Sequence, residues 1–200
     1  MNKLTVLYDR CLRHRKMLIN KSDSLINLNL NISARSLKGI LLIFENLTAG
    51  GLLYARNLET GFYNPKITNV SVIIEGISNK LHASGMKSFH MWDECKRMFS
   101  SSPTSKRNPD VAQSEMQLTL ADVTLPSFIV GKFALWLDMR TIPDPNLHGT
   151  RRMVGENGSD GVVIAINKTS EAAGTLNLYM FLIMDAQLNI QDGRLADILY

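Results

Sequence analysis

The stretch LINLNLNIS (25–33) alternates aliphatic and asparagine side chains with almost no interruption. Successive side chains of an extended strand point to opposite faces, so the four aliphatic residues from Ile26 to Ile32 share one face and the asparagines share the other. A helix would scatter the same aliphatic residues around its axis. The pattern therefore predicts a strand with one face in a core and the other in water.

Strand patterns recur along the chain. The run KGILLIFEN (38–46) is a continuous apolar run, which is typical either of a strand buried on both sides or of a core strand in a sandwich. The segment TSEAAG (169–174) has the length and the glycine of a hairpin connection. Further strands are predicted at 69–77, 127–140, 161–168 and 175–190.

One segment, SFHMWDECKRMF (88–99), has a helical pattern instead. Met91, Cys95 and Met98 recur at helical spacing, and Ser88 is a suitable N-cap. About seven strands, one helix and no β-α-β alternation indicate an all-β protein. The predicted architecture is a jelly-roll β-sandwich with one inserted short helix.

Positive charge is concentrated at the start of the chain. Residues 1–38 contain eight Lys or Arg and two acidic residues, whereas the whole chain of 200 residues has a net charge of +4. We predict a basic N-terminal arm at 1–21 and a single jelly-roll domain at 22–200. A short basic arm can contact nucleic-acid phosphates, and the alternative is a solvated chain end without a ligand. The predicted nucleic-acid contacts are Arg10, Arg13, Arg15 and Lys16.

The richest cluster of ionisable residues is WLDMRTIPDPNLHGTRR (136–152). Asp138 and Asp144 have the chemistry of an acid–base pair. Asp138 also stands two residues before Arg140, which favours an ion pair at the end of a strand, and the two prolines with Gly149 favour a turn. The sequence carries no nucleophile elbow, phosphate loop or zinc-protease motif. We predict no catalytic residues and no enzyme activity.

Metal and cofactor sites are not expected. The four histidines, His14, His82, His90 and His148, are not spaced as metal ligands. Two cysteines cannot build a disulfide framework, and they indicate a reducing, intracellular compartment. The longest apolar stretch, 178–184, is far shorter than the ~20 residues of a membrane helix, so no membrane partner is predicted.

The two tryptophans are candidates for a core or an interface. Trp136 lies in an apolar strand pattern and is predicted to lie in the core. Trp92 lies on the helical segment, and its position is compatible with either the core or a subunit interface. We predict an interface formed by Trp92, Met91 and Phe99.

Several collinear segments together resemble the C-terminal part of double jelly-roll major capsid proteins. The resemblance spans roughly residues 22–200 and is to the capsid-like proteins of Polinton/Maverick elements and adintoviruses, related copies of which are embedded in invertebrate genomes. The segments are NPKITNVSVIIEGISNKLHASGM (64–86), MWDE (91–94), KFALWLDMRTIPDPNLHGTRR (132–152) and GVVIAINKTSEAAGTLNLYMFLIMDAQLNIQDGRLADILY (161–200).

The resemblance implies a structural capsid-like protein, derived from a virus or a transposon, that acts by self-assembly through subunit interfaces. In this family two upright jelly rolls per chain assemble as a homotrimer, and there is no active site. Because 200 residues hold about one roll, the chain corresponds to the C-terminal roll. The implied location is the virion for an active element, or the cell interior for an endogenous viral element.

Two other functions remain open at this point. One is a non-catalytic jelly-roll binding module for carbohydrate or protein, which the aromatic content of 7% does not favour. The other is a metal enzyme on a cupin-like barrel, which the histidine spacing does not favour.

Overall fold

The computed structural model describes residues 3–32, 34–47, 63–74, 77–78, 84–100, 133–139, 151–153, 160–192 and 194–199. Within these residues the chain forms ten strands and one helix, and the strands pair in two antiparallel sheets. The elements are β1 (Lys3–Asn20), β2 (Leu25–Ile32), β3 (Ala34–Asn46), β4 (Ile67–Ile74), β5 (Ile77–Ser78), α1 (Ser88–Ser100), β6 (Leu135–Asp138), β7 (Arg151–Met153), β8 (Asp160–Lys168), β9 (Thr175–Gln191) and β10 (Arg194–Leu199).

The strand order identifies the fold. In the larger sheet β1, β9, β3 and β6 are neighbours in that order, with β10 also paired to β9 and β7 also paired to β3. In the smaller sheet the order is β2, β8, β4 and β5. Two facing sheets with this crossing order form a jelly roll. The predicted fold class, an all-β jelly-roll sandwich with one short helix, is confirmed.

Strand β2 shows how the sequence pattern becomes a sandwich. Its four inward residues, Ile26, Leu28, Leu30 and Ile32, are at most 5% exposed, and its asparagines are exposed. The predicted faces of this strand are therefore confirmed. Each buried aliphatic side chain contributes about 1.5–3 kcal/mol relative to full exposure, so this alternation stabilises the packing of the two sheets.

Strand β9 is central to the larger sheet. It pairs with β1 along one edge, and with β3 and then β10 along the other. Every second residue of β9 from Leu176 to Ala186 is at most 2% exposed, because it faces the core. On β3, Ile40, Leu42 and Phe44 have no exposed surface.

Helix α1 packs against β6 and closes one side of the sandwich. Met91 and Cys95, one helical turn apart, are buried on the face that was predicted to be apolar. The Cys95 thiol donates a hydrogen bond of 2.9 Å to the Ala134 backbone oxygen, which ties the helix to the start of β6. The side chains of Met98 and Phe99 lie outside those that the structure describes.

The connection at 169–174 is not a hairpin, so that prediction was wrong. Strand β8 belongs to the smaller sheet and β9 to the larger one, so the connection crosses between the layers. Six residues with a glycine suit either a hairpin or a crossing at the end of a sandwich, and only the pairing partners distinguish them.

The beginning of the chain also differs from the expected arm. Residues 3–20 form β1 and are hydrogen-bonded to β9 over nearly their whole length. The alternation of Leu4, Val6 and Tyr8 in this segment is a strand pattern, although its positive charge is typical of an arm. In the structure this part of the predicted arm belongs to the larger sheet.

The predicted strand at 127–140 is described in part. Residues 135–138 are strand β6, whereas 127–132 and 140 lie outside the described residues. Trp136, on β6, is 3% exposed, so its predicted place in the core is confirmed.

Gly39 on β3 makes room for the Trp136 ring. A Cβ atom at Gly39 would lie 2.2 Å from two ring carbons of Trp136 and 2.8 Å from the Leu137 backbone oxygen. Both distances are far inside van der Waals contact, and the backbone oxygen is held in the β3–β6 pairing. The absence of a side chain at Gly39 therefore permits the close approach of β6.

We predict that Gly39→Ala lowers the free energy of unfolding by about 1–3 kcal/mol, because the added methyl group overpacks the contact with Trp136. Urea unfolding followed by tryptophan fluorescence measures the change. Gly161→Ala is the matched control, since nothing lies within 4 Å of a Cβ atom there. An equal loss of stability in both variants would contradict the steric explanation.

Candidate functional site: the outer edge of the larger sheet

Strand β1 forms an edge of the larger sheet and carries the residues predicted to contact nucleic acid. It pairs with β9 on one side, and the described residues include no strand on its other side. Its register with β9 shifts between Arg13 and Arg15, which marks a β-bulge at His14. An extra residue in one strand reverses the faces of the residues that follow it.

Two of the four predicted basic residues lie on the outer face of the sheet. Arg13 stands opposite Phe181 and Lys16 stands opposite Tyr179, and residues directly opposite each other share a face. The Lys16 ammonium lies 5.1 Å from the centre of the Tyr179 ring, in a cation–π contact.

The other two lie on the inner face. Arg10 stands opposite Met184 and Arg15 opposite Met180, both of which are buried in the core. Alternation alone places Arg10 and Arg13 on opposite faces, and the bulge moves Arg15 to the face opposite that of Arg13, since without it these two would share a face. The four basic residues therefore line one edge of the sheet and do not form a single positively charged face.

A lysine joins three strands on the outer face beside this edge. The Lys38 ammonium forms ion pairs with Asp9 of β1 and, at 2.7 Å, with Asp185 of β9. Ser36 donates a second hydrogen bond of 2.7 Å to Asp185. Burial by itself lowers the pKa of Lys38, but the hydrogen bonds from the ammonium to Asp185 and Asp9 outweigh it and raise the pKa.

A second polar group on the outer face connects β3 with β9. The Glu45 carboxylate accepts hydrogen bonds from the Asn177 amide at 2.6 Å and from the Tyr179 hydroxyl at 2.7 Å. Asn177 is buried, so the Glu45 oxygen satisfies a group that is excluded from water. Both groups stabilise the pairing of β9 with its neighbours and have no feature of a catalytic centre.

A third polar group lies where three turns meet at one end of the sandwich. The Tyr63 hydroxyl donates a hydrogen bond to the Glu171 carboxylate, and the Lys66 ammonium lies 3.6 Å from the other Glu171 oxygen. The Lys21 ammonium lies 4.8 Å from the centre of the Tyr63 ring. Burial first, and then the neighbouring Glu171 carboxylate, raise the pKa of Tyr63 well above its usual range.

Lys168 is buried beside this third polar group. Its ammonium donates hydrogen bonds to the backbone oxygens of Lys21 and, at 3.0 Å, of Thr169. Burial lowers the pKa of Lys168. The side chain holds two turns together, which accounts for its burial.

The described residues contain no activated nucleophile among their cysteines. Partial burial raises the pKa of the exposed Cys11 thiol, and burial raises the pKa of Cys95 to about 12. Both therefore remain thiols at neutral pH, and a thiol is a poor nucleophile. Burial and then the charge of Arg15 lower the pKa of His14, so the positive charge of the edge at neutral pH comes from Arg and Lys.

The described part of the chain also contains no group of three His, Cys, Asp or Glu side chains placed to hold a metal ion. None of its helices has the length and apolar character needed to cross a membrane. Asp138 ends β6, where it pairs with Gly39. Its predicted partner Arg140 lies outside the described residues, as do Asp144 and His148.

The predicted interface on α1 is only partly at the surface. Met91 has no exposed surface and packs in the core, whereas Trp92 is half-buried and packs against the core. The predicted contribution of Met91 to an interface is not supported by this position. Phe89, which sequence reasoning did not single out, is 67% exposed on the same helix.

Solved capsid structures share this fold. The chain aligns over 100% of its length with VP54 of the virus PBCV-1, as fitted into a reconstruction of the virophage Sputnik, with a TM-score of 0.51 and 10% identity. It aligns equally completely with a quasi-atomic model of the PBCV-1 virus capsid, with a TM-score of 0.52 and 9% identity. The chain has the jelly-roll fold of these capsid proteins.

The alignments cover 52% of each of those two chains, so this chain spans about half their length. The mavirus major capsid protein is also similar, at a TM-score of 0.46 and 13% identity over 98% of this chain and 42% of that one. No protein-family model and no curated protein matches the sequence. The resemblance to double jelly-roll major capsid proteins is confirmed in the fold.

We predict that both faces of the β1 edge contribute to nucleic-acid binding. Arg13→Ala with Lys16→Ala, and Arg10→Ala with Arg15→Ala, should each reduce the slope of log affinity against log salt for duplex DNA by about 2, because each pair neutralises two phosphates. Fluorescence anisotropy over a salt series measures the slope.

A double variant with Lys87→Ala and Arg194→Ala removes two exposed cations away from β1 and serves as the control. If both β1 variants show the same slope of log affinity against log salt as this control, the β1 edge does not contact nucleic acid.

We predict that Tyr63 makes stability fall at alkaline pH. The pKa of Tyr63 is raised in the folded protein. Its stabilising contribution is therefore complete below pH ~10, the ordinary tyrosine pKa, and is lost as the pH rises above it. Urea unfolding on both sides of pH ~10 should show a smaller loss of stability for Tyr63→Phe than for the unchanged protein.

Tyr8→Phe, at an exposed tyrosine, controls for the loss of a hydroxyl group. An identical alkaline loss for Tyr63→Phe and the unchanged protein would refute the assignment.

Proposed function

We propose that this chain is a structural capsid-like subunit that acts by self-assembly through subunit interfaces. The observation that carries the proposal is the jelly-roll topology, which aligns over the full length of the chain with a virus capsid structure. A fold alone does not define a function. The described residues add an edge strand and exposed apolar side chains, which are features of a surface that contacts other subunits.

The polar groups of the described residues support a structural role. Each of the three groups joins neighbouring strands or turns within the chain. The Lys38 group fixes β1 and β3 to β9, and the Tyr63 group fixes three turns at one end. A catalytic group is usually an ionisable side chain in a cavity, with a perturbed pKa and no structural partner. None of the three polar groups contains such a side chain.

The finer proposal is that one roll of a double jelly-roll architecture is represented here. The chain spans about half the length of the two PBCV-1 chains, as one of two rolls would. We propose that it corresponds to the C-terminal roll, that it is virus- or transposon-derived, and that the assembled form is a homotrimer or a larger particle. Its location is then the virion in an active element and the cell interior otherwise.

The nucleic-acid contact through Arg10, Arg13, Arg15 and Lys16 is kept as a secondary part of this proposal. Three of these side chains are exposed on an edge strand, where they can follow a phosphate backbone. Of the residues predicted for an interface on α1, Trp92 is half-buried, and Phe89, which is exposed on the same helix, is added to the proposed contact. Phe99 keeps its predicted role as a hypothesis.

The test is the mass of the purified protein in solution. We expect trimers or larger species in light scattering coupled to size-exclusion chromatography, at micromolar concentrations and physiological salt, and ring-shaped or shell-like particles by electron microscopy. Association should persist in moderate salt, since apolar contacts are not screened by ions. A monodisperse monomer throughout this range would contradict the proposal.

A further inference from the structure

Strand β1 has a long outer edge. It contains 18 residues, and among the described strands only β9 is hydrogen-bonded to it. The backbone groups on its other side therefore face away from every strand of the described chain. Most of its side chains are exposed, as expected of a strand that solvent reaches. Such an edge is a template for the addition of one more strand.

The two faces of β1 limit the registers in which a second β1 can pair with it. Residues directly opposite each other in a sheet share a face. Between Lys3 and Arg13 the odd-numbered residues lie on the outer face and the even-numbered residues on the inner face, according to their partners on β9. An antiparallel second β1 must therefore place odd-numbered residues opposite odd-numbered ones here, because a slip of one residue would set outer residues opposite inner ones.

One such register uses the whole strand. It places Cys11 opposite Cys11 of the second copy, with His14 as the extra residue of each strand, as it also is in the pairing with β9. Because each copy skips His14 once, residues beyond the bulge remain on matching faces. The ladder then begins with Lys3 opposite Asn20 and ends with Asn20 opposite Lys3, so all of β1 is paired.

Charge favours this register over its neighbours. It sets Asp9 opposite Arg13 twice, once on each side of Cys11, and sets no two like charges opposite each other. A slip of two residues also keeps the faces matched. In one direction, however, it sets Arg10 opposite Arg10, and in the other it sets Arg10 opposite Arg15. Of the three registers, only the one centred on Cys11 combines opposite charges without like charges.

Asp9 has room for this second contact. Its side chain is 61% exposed, although it already forms an ion pair with Lys38 of the same chain. A carboxylate has two oxygens and accepts several hydrogen bonds, so a second cation can bind while the Lys38 ion pair stays in place. Arg13 is exposed on the same outer face.

We propose that a second copy of this chain adds its own β1 to this edge, antiparallel, with Cys11 on a twofold axis perpendicular to the sheet. The two larger sheets then form one continuous sheet, and each smaller sheet stays packed on its own larger sheet. The contact is isologous, since the same residues serve both copies. This deepens the self-assembly proposed above and rests on it, because it names one edge through which copies meet.

The position of Cys11 on the axis makes the register measurable. Residues opposite each other in an antiparallel pair have Cα atoms about 4.5–5.5 Å apart, which lies within the range of a disulfide. Mild oxidation of the unchanged protein by diamide should therefore give a covalent dimer on a non-reducing gel. Cys11→Ser should abolish this dimer, because the remaining cysteine, Cys95, is buried.

A displaced thiol provides the matched control. Thr5→Cys combined with Cys11→Ser keeps one exposed thiol on the outer face of the same strand. In the proposed register Thr5 stands opposite Leu18, far from Thr5 of the second copy, so this variant should lose the covalent dimer. Adding Leu18→Cys should restore it. A dimer yield from the displaced thiol alone that equals the yield of the unchanged protein would overturn the register.

A charge substitution tests the same contact without oxidation. Arg13→Glu places a carboxylate opposite Asp9, and sedimentation velocity from low to high micromolar concentration should show pairing weakened by at least about tenfold. Arg13→Lys keeps the cation and should pair as the unchanged protein does. Lys87→Glu, at an exposed lysine away from β1, controls for the change in net charge. Circular dichroism verifies that the variants fold.

The outcomes separate the edge contact from the capsid-like role. If particles form and Arg13→Glu assembles as well as Arg13→Lys, the edge contact is wrong and the capsid-like role stands. If the unchanged protein stops at a dimer that Arg13→Glu weakens, the edge contact stands and the capsid-like role is wrong. A monomer at every concentration overturns both. Association that appears only after duplex DNA is added assigns the edge to nucleic acid and overturns the contact.

Discussion

The position of β9 between two sets of partners is the constraint on which the structure depends. Its inward side chains are buried without interruption from Leu176 to Ala186, while both of its edges are hydrogen-bonded to other strands. A slip of one residue would turn this whole apolar set outward, so the hydrophobic pattern fixes the register of β9 and, through it, the positions of β1, β3 and β10. The free edge of β1 is a consequence of that placement among the described residues.

The polar groups on the outer face of the larger sheet favour one strand register more than they add to the free energy of unfolding. The Lys38 and Glu45 groups each connect β9 to a neighbour by hydrogen bonds that only one register allows. Ion pairs at a partly exposed position contribute about 0–1 kcal/mol, much less than the burial of the inner face. We interpret these groups as devices that favour one pairing of the strands over its near alternatives.

The sequence predicted the parts of the fold that follow from local alternation. The faces of β2, the core strand β3 and the apolar side of α1 were all correct, because each is encoded in the spacing of its own residues. The crossing at 169–174 was missed, because a connection does not record which sheet its strands join. The positive charge of residues 1–21 favoured the prediction of an arm, although the alternation of Leu4, Val6 and Tyr8 is a strand pattern.

The candidate site was less predictable for a related reason. Alternation alone distributes the four basic residues over two faces, and the bulge at His14 decides which of them share a face, although nothing in the local sequence announces a bulge. Met91 was predicted at an interface and lies in the core, since helical spacing identifies an apolar face without identifying what covers it.

The contact between Gly39 and Trp136 has a consequence for how this protein can diverge. The glycine and the indole ring occupy complementary volumes on adjacent strands, far apart in sequence but in contact. A descendant with any side chain at position 39 needs a smaller residue at position 136, so the two positions are expected to covary. Covariation of these two positions in an alignment of descendants would report the β3–β6 pairing from sequence alone.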